Sequence, residues 1–297
     1  MSTPPDAGEP GSRSTVAVVT DSTTYLPEEL IDRHGVERVN LYVGWDGNHL
    51  PEPEYELDDF YARLRDSDNL PSTSQPSVGD FLSCYEPLVE AGRDVVSIHI
   101  AAGLSGTCES AREAARVIAD KGLPGRVEVV DGQTGAGGLG TLVLAAAEAA
   151  TQGLSRDEVV DAVQRTRKSL EMWFCLDTLE YLRRGGRIGA AQALVGSALK
   201  IKPILTFGTE IAPVGRVRTR QRAMERMSAY LDELHERGAN DWFIQHAQSA
   251  EDAATLVAKG KDLFGTDPLF CTQVGPVLGA HLGSGVLVGG IGCGNTG

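Results

Sequence analysis

The residues best suited to chemistry lie in "IHIAAGLSGTCESAREAARVIAD" (98–120), where an apolar run halts at Gly103-Leu104-Ser105-Gly106-Thr107 and a helix-like pattern begins at once. Strand, tight turn and helix in that order expose the first N–H groups of the helix, which have no internal partner, together with the positive end of its dipole. Such a turn suits an anion. The same residues also read as a plain helix start, with Ser105 or Thr107 as cap and the glycines permitting the turn. On this segment alone both readings stand.

Three further stretches bear on the choice. "LPSTSQPSVGDF" (70–81) sets Ser72, Thr73, Ser74 and Gln75 between two prolines, a polar cluster in a stiffened loop whose hydroxyls need partners. "YLRRGGRIG" (181–189) places Arg187 just past a Gly-Gly break, where a guanidinium turns out of the helix to meet an anion or covers a helix C-terminus. "GPVLGAHLGSG" (275–285) holds His281 in a glycine-dense turn, where backbone approaches something closely.

Standard enzyme motifs fit poorly. A nucleophile elbow needs glycine two residues after its serine, and this chain has Thr107 there. Asp177 or Asp241 and then His281 follow Ser105 in an order that a triad permits, so only geometry decides that case. No phosphate-loop motif occurs. Gly135-Ala-Gly137-Gly-Leu-Gly140 has dinucleotide-loop spacing, but the polar "SRDE" (155–158) stands where a ribose-binding acid is needed, so a glycine-rich helix packed close to a sheet is the better reading. The six histidines are scattered, without metal-ligand spacing.

The elements that must position these residues follow from periodicity. "VAVVT" (16–20), "VVSIHI" (95–100) and "VEVVD" (127–131) are continuous apolar runs that predict buried parallel strands. Pro27-Glu28-Glu29 and the capping-box spacings Ser77 to Asp80 and Ser155 to Glu158 predict helix starts. After about Lys168, "MWFCLD" (172–177) is strand-like and the segment 178–200 is helical with a break at Gly185-Gly186. "PILTFGTEIAPVGRV" (203–217) forms a hairpin around Gly208, Met224, Met227, Leu231 and Leu234 form a helical stripe, "WFIQHA" (242–247) is extended, and Ser249 to Asp252 opens a last helix. The expectation is an α/β chain of two domains, 15–168 with a mostly parallel sheet and 169–297 with a mixed sheet and helices, after a disordered tail at 1–14.

Composition narrows the partners. With 41 acidic against 27 basic residues and a formal charge of −14, the chain lacks the cations for a broad grip on nucleic acid. Arg216, Arg218, Arg220 and Arg222 are a local exception, read as a solvated hairpin-to-helix face or a contact for an acidic partner. No apolar run approaches a membrane span and no leader pattern opens the sequence, which points to the cytoplasm. Five widely spaced cysteines without a CxxC pair are expected to be free thiols.

Taken in series, "VAVVTDST" with Asp21 and Ser22, "TSQPS" (73–77), "LSGT" (104–107), "YLRRGGRIG" and "GAHLGSG" (279–285) resemble the DegV family of fatty-acid-binding proteins, from about residue 16 to 292. The resemblance implies a two-domain DegV-like α/β fold enclosing one long-chain fatty acid, with no other cofactor, no metal and no enzymatic activity of its own. It implies that Thr73 and Ser105 contact the carboxylate with His281 beside them, and that Ser74, Gly106 and Arg187 lie in the head-group vicinity. Family members of the FakB type present the acid to the ATP-binding subunit of a fatty acid kinase, which makes acyl phosphate for phospholipid synthesis.

This chain departs from its relatives at Ala101 and Ala102, where two serines are common, and at Cys108, where a tyrosine is common; the expected effects are lost hydroxyl bonds and altered packing or chain-length choice. A carboxylate accepts hydrogen bonds only, so hydroxyls and helix-start N–H groups suit it, at about 1.5–3 kcal/mol each. At about 0.8 kcal/mol per buried CH₂, the tail dominates affinity. Burial beside His281 and Arg187 is expected to keep the acid ionised. The alternatives are a Ser105-dependent lipid hydrolase and a DegV-fold carrier of another amphipathic acid.

Overall fold

The computed structural model describes residues 15–196 and 201–291. The tail at 1–14, the last four residues of the segment 178–200, and Cys293 with its neighbours lie outside the described residues. In chain order the strands are β1 (Val16–Asp21), β2 (Glu37–Val39), β3 (Tyr42–Trp45), β4 (Asn48–Pro51), β5 (Ser72–Ser74), β6 (Asp94–His99), β7 (Val127–Asp131), β8 (Glu171–Cys175), β9 (Lys202–Phe207), β10 (Ile211–Val217), β11 (Trp242–Ala247), β12 (Cys271–Gln273) and β13 (Val286–Ile291). The helices are α1 (Glu28–His34), α2 (Leu57–Asp66), α3 (Val78–Glu90), α4 (Thr107–Asp120), α5 (Ala136–Thr151), α6 (Arg156–Ser169), α7 (Glu180–Arg184), α8 (Arg220–Glu236), α9 (Ala250–Phe264) and α10 (Pro276–Leu282).

Three sheets result. The first, in the order β2-β1-β6-β7, is parallel throughout, as the apolar runs require. β1 is buried at every position, but β7 is half-exposed, against expectation, because it is the edge strand and only Val130 is fully covered. The second, β10-β9-β8-β13-β11-β12, is mixed: β11 and β12 are parallel and the other pairs antiparallel. The third, β4-β3-β5, is a small antiparallel sheet that takes Ser72–Ser74, expected in a loop, as an edge strand. It begins with a two-residue hairpin at Asp46 and Gly47, both at positive φ, the geometry of a type I′ turn.

The strands of the parallel sheet all precede residue 132 and those of the mixed sheet all follow residue 170. Between them runs α5, apolar on nearly every side and therefore buried, packed on β1 and β6 of one sheet and β11 and β13 of the other. Its glycines set the closeness: a Cβ on Gly137 would meet Phe243 at 2.2 Å and one on Gly140 would meet Leu26 at 3.0 Å. The dinucleotide-like spacing thus serves helix-to-sheet packing.

Local signals place most helix starts. The Ser77 and Ser155 capping boxes both form, with each serine accepting from the N3 backbone and each N3 acid accepting from the cap N–H. Pro27 stands at the N-cap of α1. Ser249 differs: its side chain does not cap α9, because its hydroxyl accepts from Arg220 Nη2 at 2.9 Å and points to Ala247 O. α7 ends at Gly185, and Gly186 at φ +70° turns the chain toward a short 3₁₀ helix at Gly189–Leu194.

Candidate functional site

One cavity gathers the residues singled out from sequence. It is lined by Thr73, Ser74, Gln75, Ser105, Arg187 and His281, with Leu41, Ile100, Leu104, Leu182, Phe207, Ile211, Val277, Leu278 and Leu282 as its apolar walls. The polar groups arrive on four separate parts of the fold. Thr73 is held by β5, paired with Val43 of β3. Ser105 sits between β6 and α4, Arg187 follows α7, and His281 lies in the last turn of α10. Gly106 lies at the same turn, where a Cβ would come 2.8 Å from Gln75 Nε2. The open space is about 40 Å³.

The turn before α4 is built for close backbone contact. Leu104 N and Ser105 N both donate to Ala101 O, at 2.9 and 3.2 Å. A Cβ on Gly103 would lie 2.1 Å from Thr209 O, so the β9–β10 hairpin tip rests directly on this glycine. Gly106 is the N-cap and α4 starts with no side-chain cap. Ser105 Oγ lies 2.8 Å from Thr107 Oγ1 and receives only a long 3.4 Å bond from Thr107 N. This 14-residue helix thus begins two residues after the cavity-lining Ser105, with no side-chain cap on its N-cap residue.

Thr73 Oγ1 and His281 Nε2 are 2.8 Å apart, whereas His281 Nδ1 is buried without a partner. Burial, and then the nearby Arg187 charge, push the His281 pKa down to about 4. In the ligand-free protein the imidazole is neutral at pH 7, so Arg187 carries the standing positive charge at the cavity. Arg187 is the one cation among the lining residues; its Nη1 donates to Gly185 O at 2.8 Å and its Nε to Leu104 O at 3.3 Å, which aims the guanidinium over the turn. With Nε2–H donating to Thr73 Oγ1, the threonine O–H is free to donate onward to an acceptor in the cavity. Ser74 Oγ instead meets His49 Nε2 at 2.9 Å.

The hydrolase alternative lacks its geometry. Ser105 pairs with Thr107 and not with His281, His281 Nδ1 has no acid, and Asp177 is bound to Lys202 Nζ at 2.6 Å. A Ser-His-Asp chain does exist elsewhere. Tyr85 O–H donates to Ser97 Oγ at 2.7 Å, Ser97 Oγ meets His99 Nε2 at 2.7 Å, and His99 Nδ1 lies 3.1 Å from Asp21 Oδ2. All four residues are sealed from solvent, so the chain is structural. Asp21 Oδ2 also accepts from Ile100 N at 2.9 Å, tying the end of β1 to the point where the Ser105 turn leaves β6.

Ala101, Ala102 and Cys108, where departures from the family pattern are expected, fall outside the cavity walls. Ala101 is fully buried and Ala102 is exposed, with its N–H on Asp131 Oδ1. Cys108 packs under the turn, its thiol donating to Ile100 O at 3.5 Å and its pKa pushed up to about 12 by burial, and it does not line the cavity. Among the basic cluster, Arg220 is tied to Asp252, Ser249 and Gly285 O, and Arg222 to Glu225. Sequence reasoning missed Tyr25 and Glu52, which have no local motif. Among the described residues no group of three or more His, Cys, Asp or Glu is placed to hold a metal, and no helix is long and apolar enough to cross a membrane.

Comparison with known proteins supplies the context for this cavity. The family described as "Uncharacterised protein, DegV family" matches residues 15–291. A DegV domain-containing protein of Streptomyces coelicolor is 38% identical over 275 residues, spanning 92% of this chain and 96% of its own. Protein DegV of Bacillus subtilis is 34% identical over 276 residues, spanning 92% and 97%. The crystal structure of DegV, described as a fatty acid binding protein from Bacillus subtilis, superposes with a TM-score of 0.85 at 33% identity, covering 95% of this chain and 100% of that one. A DegV family protein from Thermus thermophilus, described by its fatty acid binding, gives 0.83 at 33% identity over 94% and 99%.

Proposed function

The chain belongs to the DegV family, and from that premise we propose that it binds one long-chain fatty acid, its carboxylate at Thr73, Ser105 and His281 and its tail along the apolar walls. The observation that carries this reading is the convergence of two hydroxyls, a neutral imidazole and one guanidinium at the polar end of an otherwise apolar cavity. The hydroxyls and the guanidinium offer donors to a carboxylate, the imidazole orients the Thr73 hydroxyl toward it, and no acid in the lining repels it. Ser74, Gly106 and Arg187 surround the head group, with Arg187 as its counter-charge. Relatives of known structure described as fatty acid binding proteins support the ligand class.

In this reading the protein is the carrier in a fatty acid kinase system of the FakB type and works in the cytoplasm, where ATP is found. Arg187, exposed at the rim, keeps the carboxylate ionised and facing outward. On the kinase subunit a carboxylate oxygen forms a bond to the γ-phosphorus of ATP, the bond to the bridging oxygen breaks, and ADP leaves with that electron pair. The carrier needs no nucleotide site of its own.

Denaturing solvent extraction of the purified protein, read by mass spectrometry, tests the ligand: near-equimolar fatty acid is expected. Protein that yields none and fails to bind added palmitate overturns the reading, and another amphipathic acid in its place identifies the carrier variant of it. Steady hydrolysis of acyl esters, lost in Ser105→Ala, would revive the hydrolase.

A further inference from the structure

The open space of about 40 Å³ is narrow and apolar walls close around it, so a long acyl tail enters and leaves past one of those walls. Four of the lining residues, Val277, Leu278, His281 and Leu282, belong to α10. This helix has seven residues, too few to hold itself in place by its own hydrogen bonds. Glycines flank it: Gly275 as N-cap, and Gly283 and Gly285 at φ +79° and +80° just beyond its end. What fixes α10 is therefore external to it.

The fixings come from two side chains far away in sequence. Val277 N donates to Glu52 Oε1 at 2.7 Å, Leu278 N donates to Tyr25 Oη at 3.1 Å, and Tyr25 O–H donates to the same Glu52 oxygen at 2.9 Å. Pro276 has no N–H, so this pair accepts the first two N–H groups that the helix has to offer. The fit is close: a Cβ on Gly275 would lie 2.4 Å from the Tyr25 ring and 2.8 Å from Glu52 Oε1. Glu52 is 3% exposed. Tyr25 is itself held, at the left-handed φ of +49°, by Thr272 Oγ1 donating to its carbonyl at 2.7 Å. Backbone strain of this kind in a non-glycine residue persists only where the surroundings impose it.

Neither residue lines the cavity; both line a separate cleft of about 380 Å³ that also touches Leu26, Tyr55, Leu57 and Pro276. We infer that Glu52 and Tyr25 form a latch on the N-terminus of α10, positioning His281 when closed, and that its opening governs how fast an acyl chain enters and leaves. The inference rests on the fatty-acid reading and adds to it a control on exchange. The latch acts on the barrier and leaves the bound contacts intact, because neither residue touches the ligand. Weakening it speeds entry and exit together.

The test is stopped-flow exchange of the fluorescent fatty acid cis-parinarate on the full chain, for the unsubstituted protein, Tyr25→Phe and Glu52→Met, the second keeping the side-chain length and removing the acceptor. Loss of a hydrogen bond of ordinary strength gives roughly a fivefold rise in both rate constants, with Kd changed less than about twofold. Amide hydrogen exchange at Val277 and Leu278 is read in the same samples without ligand and is expected to quicken in both variants. A mere stability defect would lower the melting temperature without raising association, so a melt accompanies each variant. Binding with unchanged rates and unchanged amide protection in both folded variants overturns the latch alone. No parinarate binding by the unsubstituted protein overturns the fatty-acid reading and the exchange role that rests on it.

Discussion

Thr73→Val tests the head-group assignment most directly, because it keeps the β-branched shape suited to β5 and removes only the hydroxyl. Two costs follow, and they appear in different measurements. His281 Nε2 loses its 2.8 Å partner while Nδ1 already has none, so a buried imidazole is left with both nitrogens unpaired. That costs about 1–3 kcal/mol of stability. It is present with and without ligand, so it cancels from affinity and lowers the melting temperature instead. The lost bond to the carboxylate exists only in the complex and contributes about 1.5–3 kcal/mol, which is roughly a 10- to 150-fold rise in Kd. Displacement of cis-parinarate by palmitate reads Kd and calorimetry reads stability. Thr73→Ser, which restores the hydroxyl, is expected to bind within about twofold of the unsubstituted protein. A folded Thr73→Val that binds palmitate as tightly as the parent would refute the placement of the carboxylate at Thr73, whatever its melting temperature.

Other expectations follow from the same geometry. Gly103→Ala forces a Cβ against Thr209 O at 2.1 Å, a backbone atom that cannot swing away, and is expected to cost about 1–3 kcal/mol by overpacking, read as a lowered denaturant midpoint. The His281 imidazole is expected to stay neutral down to about pH 4 in the ligand-free protein; nitrogen-detected NMR showing it charged at pH 6 would contradict its burial. Because an unfolded histidine charges near pH 6.5, His281 makes stability fall as pH drops from there to about 4. Glu52 works oppositely: burial raises its pKa to about 7, so the folded state holds this proton more tightly than the unfolded chain and the stability linked to it is lost as pH rises from about 4.5 to about 7. Glu52→Gln is therefore expected to gain more in melting temperature at pH 8 than at pH 5, and an equal change at both would show that Glu52 does not titrate in that window.

Much of the fold was legible because its signals are local. The apolar runs at 16–20 and 95–100 and the capping boxes at Ser77 and Ser155 depend on neighbours within a few residues, and each lies where it was expected. The third sheet has one local signal, the hairpin dipeptide Asp46-Gly47, while His49 and its neighbours give no clean alternation of apolar and polar residues. Edge position was not legible: "VEVVD" has the composition of a buried strand, and only the absence of a neighbour beyond β7 exposes it.

For the site, the sequence by itself determined the residue types and the glycine-bracketed turns that carry them, because hydroxyl, imidazole and guanidinium chemistry and turn geometry are written locally. It also determined that Ser105 stands in no nucleophile elbow. Only the tertiary structure decided that His281 bonds Thr73 and not Ser105, that burial keeps it neutral, and that Glu52 and Tyr25 hold the helix bearing it. Those facts join residues 208, 225 and 253 positions apart. Desolvation and long-range pairing belong to the assembled surroundings of a group, and no spacing along the chain encodes them.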